Sequence, residues 1–119
     1  MKALVLLLLL AGCAGSASNS ADANRNRLAT VEASYGAAQV VALAYMKRPI
    51  CGQTRMIVCA APPVMVQIQN ADRAANAAVN RAAAAVKSNP ADPSTTQLVI
   101  AAADGVENFK KVTPNDPNR

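Results

Sequence analysis

The groups best able to do chemistry are three cysteines, Cys13, Cys51 and Cys59. Their thiolates are the strongest nucleophiles available, yet no histidine accompanies them anywhere in the 119 residues. That removes the usual nucleophile–base triads and the commonest general base. It also leaves no imidazole to complete a zinc site, and Cys51 and Cys59 do not have the CxxC spacing of a redox pair. The carboxylates are Asp22, Glu32, Asp72, Asp92, Asp104, Glu107 and Asp116, scattered along the chain. A paired-carboxylate site needs two of them across a cleft, and short helices leave little room for one. Asp72 has two readings: half-buried and paired with a basic residue, or solvated at a helix edge. No glycine-rich phosphate loop is present. These residues point away from an enzyme.

Cys13 has a distinctive setting. Met1-Lys2 gives a positive start, and Ala3 to Leu10 is uncharged and apolar. At about eight residues this stretch is far short of the roughly 20 needed to span a bilayer. Leu10-Ala11-Gly12-Cys13 follows. Basic, apolar and small regions in that order read as a signal peptide. An ordinary secretory signal, with Cys13 incidental, is the plainer version of this reading.

Leu10, Ala11, Gly12 and Cys13 resemble, position by position, the lipobox of bacterial lipoproteins. The resemblance implies a thioether-linked diacylglycerol on the sulfur of Cys13, cleavage between Gly12 and Cys13, and acylation of the freed amine. Acyl chains in that number anchor a protein stably without a spanning helix. No other cofactor is expected. Ala14 stands where lipoproteins kept in the inner membrane often carry Asp, so the resemblance implies the outer membrane, facing the periplasm.

An exported protein favours disulfides. With Cys13 taken by lipid, Cys51 and Cys59 remain to pair. Closing so short a loop stabilises by about 2.6 kcal/mol in chain-entropy terms. Composition makes that valuable. Alanine is abundant, there is no tryptophan, and Tyr35, Tyr45 and Phe109 are the only aromatics. Side chains this small bury little area each, so the core must come from closely packed backbones.

The elements holding these residues read as helices. Leu28, Val31, Tyr35, Ala38, Ala42 and Tyr45 fall on one face of a helix from Arg25 to Arg48, which Pro49 stops. Gly36 inside it either marks a close crossing with another backbone or is tolerated at up to about 1 kcal/mol. Val64 to Lys87 forms the second helix, with Met65, Ile68, Ala75, Val79, Ala82 and Val86 facing inward. Val64 to Ile68 also alternates like a strand and would pair with Met56-Ile57-Val58 as a small hairpin. Asp92 caps a third helix with Pro93 in its first position, and Gln97 to Val112 carries Leu98, Ala102, Gly105, Phe109 and Val112 inward.

The expected fold is all-α, a small Ala-rich antiparallel bundle of two long helices and a shorter third, with a disulfide-closed loop between the first two. Residues 1–12 read as signal peptide, 13–24 as a flexible lipid-linked tether, 25–112 as the helical domain and 113–119 as a disordered tail.

Loss of residues 1–12 leaves eleven basic side chains against seven acidic, a net of +4. Export removes nucleic acid as a partner for this charge. Arg48, Arg55, Arg73 and Arg81 would instead meet anionic envelope surfaces. The function expected is non-enzymatic: a membrane-anchored interaction or envelope-modifying protein with a protein partner. In style the chain is similar to small lipoproteins of phages and prophages, which implies superinfection exclusion or lysis. It departs from the proline-rich body of outer spanins. The alternative is a structural lipoprotein that binds peptidoglycan or a secretion or assembly complex. A second copy packed on an Ala-lined face would also explain the alanine excess.

Overall fold

The structure, a computed structural model, describes residues 16–53, 55 and 58–114. Three helices account for most of them: α1 (Ser16–Met46), α2 (Pro62–Ser88) and α3 (Pro93–Val112). The register follows from contacts at three levels. Asn24 of α1 reaches Pro90 and Thr96, Tyr35 reaches Asp72 and Phe109, and Tyr45 reaches Ala61. So α1 and α2 run antiparallel, α3 returns antiparallel to α2, and the chain forms the expected all-α bundle.

On α1, Asn24, Leu28, Val31, Tyr35, Ala38, Ala42 and Tyr45 are buried at alternating steps of four and three. That is the spacing of a coiled-coil seam. On α3 the same alternation buries Thr95, Val99, Ala102, Val106, Phe109 and Thr113. The inward face is therefore rotated from the one expected. Leu98, Gly105 and Val112 flank the seam rather than form it. On α2, Ile68, Ala71, Ala75, Val79, Ala82 and Val86 are buried, while Met65 is only half-buried. There the alternation breaks once, with two successive steps of four around Ala75. At that level Gly105 comes close: a Cβ on it would lie 3.5 Å from the Ala75 Cα and 3.7 Å from the Ala78 Cβ.

Two expected boundaries move. Helix α1 starts at Ser16, so residues 16–24, read from sequence as tether, are helical. The reason is Asn24. Its side chain is buried and donates to the Pro90 carbonyl at 2.8 Å and to Thr96 Oγ1 at 2.9 Å, tying the first turns of α1 to the α2–α3 turn. At the other end Thr113, read as tail, is buried and donates from Oγ1 to the Phe109 carbonyl at 2.9 Å. Residues 1–15 and 115–119 lie outside the described residues, and with them the expected signal peptide, Gly12, Cys13 and the last of the expected tail.

The connection between α1 and α2 is closed by the Cys51–Cys59 disulfide, with Cα atoms 5.0 Å apart. The Ala60 amide donates to the Pro49 carbonyl at 2.8 Å, and the Cys51 amide to the Ala60 carbonyl at 3.0 Å. Ile50 and Ala60 form an isolated parallel bridge. The hairpin reading of Val64 to Ile68 does not hold, because these residues lie in α2, entered through Pro62 and Pro63. Their expected partners Met56 and Ile57 lie outside the described residues. Asp92 caps α3 as expected, with Oδ1 accepting from the Ser94 amide at 2.7 Å and from its hydroxyl at 2.6 Å. These bonds hold the Asp92 carboxyl below its usual range.

The glycines separate by environment. Among the described residues nothing lies within 4 Å of a Cβ placed on Gly36, so none of their backbone crosses there. Gly36→Ala should raise stability by about 0.5–1 kcal/mol, the helix-interior difference between the two residues. Gly105→Leu should lower it by about 1–3 kcal/mol by wedging α3 off α2. Urea unfolding followed by circular dichroism measures both.

Candidate functional site

The bundle has two chemically different ends. One holds the start of α1 and the Asn89–Asp92 turn. The other holds the end of α1, the disulfide loop and the start of α2, beyond the end of α3. At the second end the Tyr45 hydroxyl accepts from the Ala61 amide at 2.9 Å, and the Arg48 guanidinium lies 5.1 Å from the Tyr45 ring centre. Such a cation–π contact adds about 0.5–2 kcal/mol.

The four arginines expected at an anionic surface are not brought together. Arg48 and Arg55 belong to the disulfide end. Arg73 and Arg81 are exposed on α2, about 16 and 28 Å along the helix from Pro62 at 1.5 Å per residue. Lys47 adjoins Arg48, whereas Lys110 and Lys111 follow Phe109, which packs on Tyr35, and so lie about 15–20 Å short of Arg48 at 1.5 Å per residue. Lys110 is paired with Glu107 at 2.8 Å.

Between α1 and α2, near the same end, the seam opens into a groove of about 260 Å³. The sequence left little room for such a cleft. Helix α1 contributes Gln39, Leu43 and Met46, α2 contributes Ile68, Gln69 and Asp72, and Phe109 lies at the base. Phe109 is held edge-on against Tyr35, with ring centres 5.9 Å apart.

Asp72 is the only carboxylate in this lining. It is half-buried, and its partners are not the basic residue one reading expected. The Tyr35 hydroxyl donates to Oδ1 at 2.7 Å, and Gln39 Nε2 donates to the same oxygen at 3.3 Å. Among the described residues no donor reaches Oδ2, and the ion pairs there, Asp22–Arg25 and Glu107–Lys110, leave Asp72 without a cation. Burial first, then the hydrogen bond to Asp72 and its charge, push the Tyr35 phenol up from 10.0 to about 12; Gln39 opposes this. Gln39, Leu43 and Met46 were missed from sequence. They alternate with the core positions of α1 and look like ordinary surface.

A smaller recess of about 160 Å³ lies between α1 and α3, beside Thr30, Ser34 and Glu107. Among the described residues no group of three His, Cys, Asp or Glu side chains is placed to hold a metal ion. None of their helices is long and apolar enough to cross a membrane. No protein family, curated protein or solved structure matches this chain.

Two expectations follow. A phenol whose pKa rises on folding stabilises the fold below its unfolded value and loses that contribution as pH rises through the folded one. In a Tyr45→Phe background, absorbance of the phenolate should appear near pH 12, and the melting temperature should fall between about pH 10 and 12. Tyr35→Phe should abolish that fall and cost about 1–3 kcal/mol at neutral pH. Separately, thiol-reactive tags should miss Cys51 and Cys59 until reductant is added. Reduction should then cost about 2–3 kcal/mol while leaving helical circular dichroism intact.

Proposed function

We propose that this chain is a lipid-anchored envelope protein without enzymatic activity, held by Cys13 and offering its disulfide end to a protein partner. The observation that carries the reading is the lipobox-like Leu10-Ala11-Gly12-Cys13, followed within three residues by the start of α1. A lipid on Cys13 puts the α2–α3 turn on the membrane side. Helix α1, of 31 residues, then carries the disulfide loop about 46 Å outward at 1.5 Å per residue. The anchored leaflet is the periplasmic face of the outer membrane, in keeping with Ala14. Among the described residues Asp72 is the one carboxylate of the groove, set among apolar and amide side chains, which supports a binding rather than a catalytic role.

In this reading the partner is an envelope protein, and the role is exclusion of superinfecting phage or help in lysis, as for the small phage-borne lipoproteins the chain is similar to in style. A second reading, attachment to peptidoglycan or to an envelope assembly, is favoured by one feature. Lys47, Arg48 and Arg55 lie at the end away from the anchor, where an acidic polymer would be met.

Metabolic labelling with palmitate tests the anchor. The wild type should incorporate label and fractionate with outer membranes. Cys13→Ser should take up none and keep its leader. Equal labelling of the two would sink the proposal.

A further inference from the structure

We propose that the groove between α1 and α2 seats an apolar segment of a partner protein that carries an arginine or lysine, with the cationic head on Asp72. The carboxylate is half-buried among apolar side chains, and only one of its oxygens is engaged. A charge in such surroundings gains most from an opposite charge that arrives with its own apolar stem. Arginine and lysine are built that way, with methylene stems that lie along apolar surface while the head stays polar. Leu43 and Met46 offer the surface for the stem, with buried Phe109 beneath them, and Oδ2 of Asp72 offers the acceptor.

The apolar surface continues beyond the groove. Leu43 is 55% exposed and Val40 69% exposed. With Ala33, Gly36, Ala37 and Ala44 they give α1 a second apolar stripe, facing away from the core. Gln39 and Gln69 flank the carboxylate with amides that can both donate to and accept from a backbone. An anionic ligand is opposed by Asp72, and a wholly apolar one leaves Oδ2 covered and unpaired, which costs free energy. The volume of about 260 Å³ suits one or two side chains, not a helix buried whole.

The inference rests on the reading of the chain as an interaction protein and is independent of the lipid on Cys13. The chain has no tryptophan, so a tryptophan in the probe reports without background. Ac-Trp-Leu-Arg-Leu-amide and its counterparts with Gln or Glu in place of Arg are titrated into the purified full chain in dilute detergent, with detergent alone subtracted. The Arg peptide should bind at least ten-fold more tightly than the Glu peptide. Asp72→Asn keeps an acceptor for the Tyr35 hydroxyl and should erase that preference without changing helicity. Leu43→Gln alters an exposed position and should weaken the Arg peptide several-fold, which decides the matter if Asp72→Asn unfolds. Equal binding of the Arg and Glu peptides overturns the proposal, as does a preference that survives Asp72→Asn. Self-association in sedimentation that Leu43→Gln abolishes overturns it too, and gives the groove to a second copy. None of these results bears on palmitate labelling, so the groove and the anchor can fail separately.

Discussion

Close approach of helix backbones is the constraint on which this bundle depends. Alanine and glycine contribute little apolar area per residue, so they stabilise only when the backbones behind them come near enough for main-chain atoms to pack. Helices α2 and α3 meet this condition around Ala75, Ala78 and Gly105. Helix α1 meets the α2–α3 hairpin differently. Its seam carries Tyr35 and Tyr45, and their rings fill space that alanine cannot. The result is a tight hairpin with a third helix propped against it by aromatic side chains. The groove opens beside the Tyr35–Phe109 pair, where packing changes from one kind to the other.

An alanine seam is smooth, and one register resembles the next. Polar ties choose among them. Asn24 bonds to Pro90 and Thr96, Tyr35 to Asp72, and the Tyr45 hydroxyl to the Ala61 amide, so α1 is fixed near both ends and at its middle. Each such bond adds only about 0.5–1.5 kcal/mol net, but leaving its buried partner unmade costs about 1–3 kcal/mol. A slipped register breaks all of them together. Among the described residues every deeply buried side-chain nitrogen or oxygen has a partner, as this argument requires. The disulfide adds a further tie at the loop, where the long excursion from Met46 to Pro62 is otherwise held by a few backbone bonds.

Much of this was legible in the sequence, and the failures have physical causes. The α1 face was readable because its apolar residues are large enough to stand out from the alanines around them. Asp92 and Pro93 marked the start of α3 by local chemistry alone. The α3 face was misread because two overlapping stripes, one through Leu98 and Gly105 and one through Val99 and Val106, satisfy helical spacing equally and share Ala102 and Phe109. Thr95 breaks the tie, since its hydroxyl finds the Asn89 carbonyl at 2.7 Å and can be buried. That partner is set by the turn, not by periodicity. The early start of α1 was hidden for a similar reason. Ser, Asn, Asp and Ala in series read as a tether until Asn24 meets residues more than 60 positions away.

The candidate site was less legible still, because it is made by what α1 does on two faces at once. From Ala33 to Met46 this helix is apolar toward the core and apolar again on the far side, with Gln39 as a polar interruption between them. Sequence patterning treats such a helix as weakly amphipathic and assigns no direction to it. In the folded chain the direction is set by Tyr35 and Tyr45, which turn one stripe inward. Val40 and Leu43 are thereby left outside, and Leu43 shares the groove with a carboxylate that no cation of the described chain reaches. A surface that keeps both exposed apolar groups and a half-buried charge gives up stability locally. The compensation lies elsewhere in the same helix, in the ring contacts and polar ties that hold α1 in place whether or not the groove is filled. The groove can therefore be open in the free protein, and an occupant would bind it without first having to fold the bundle.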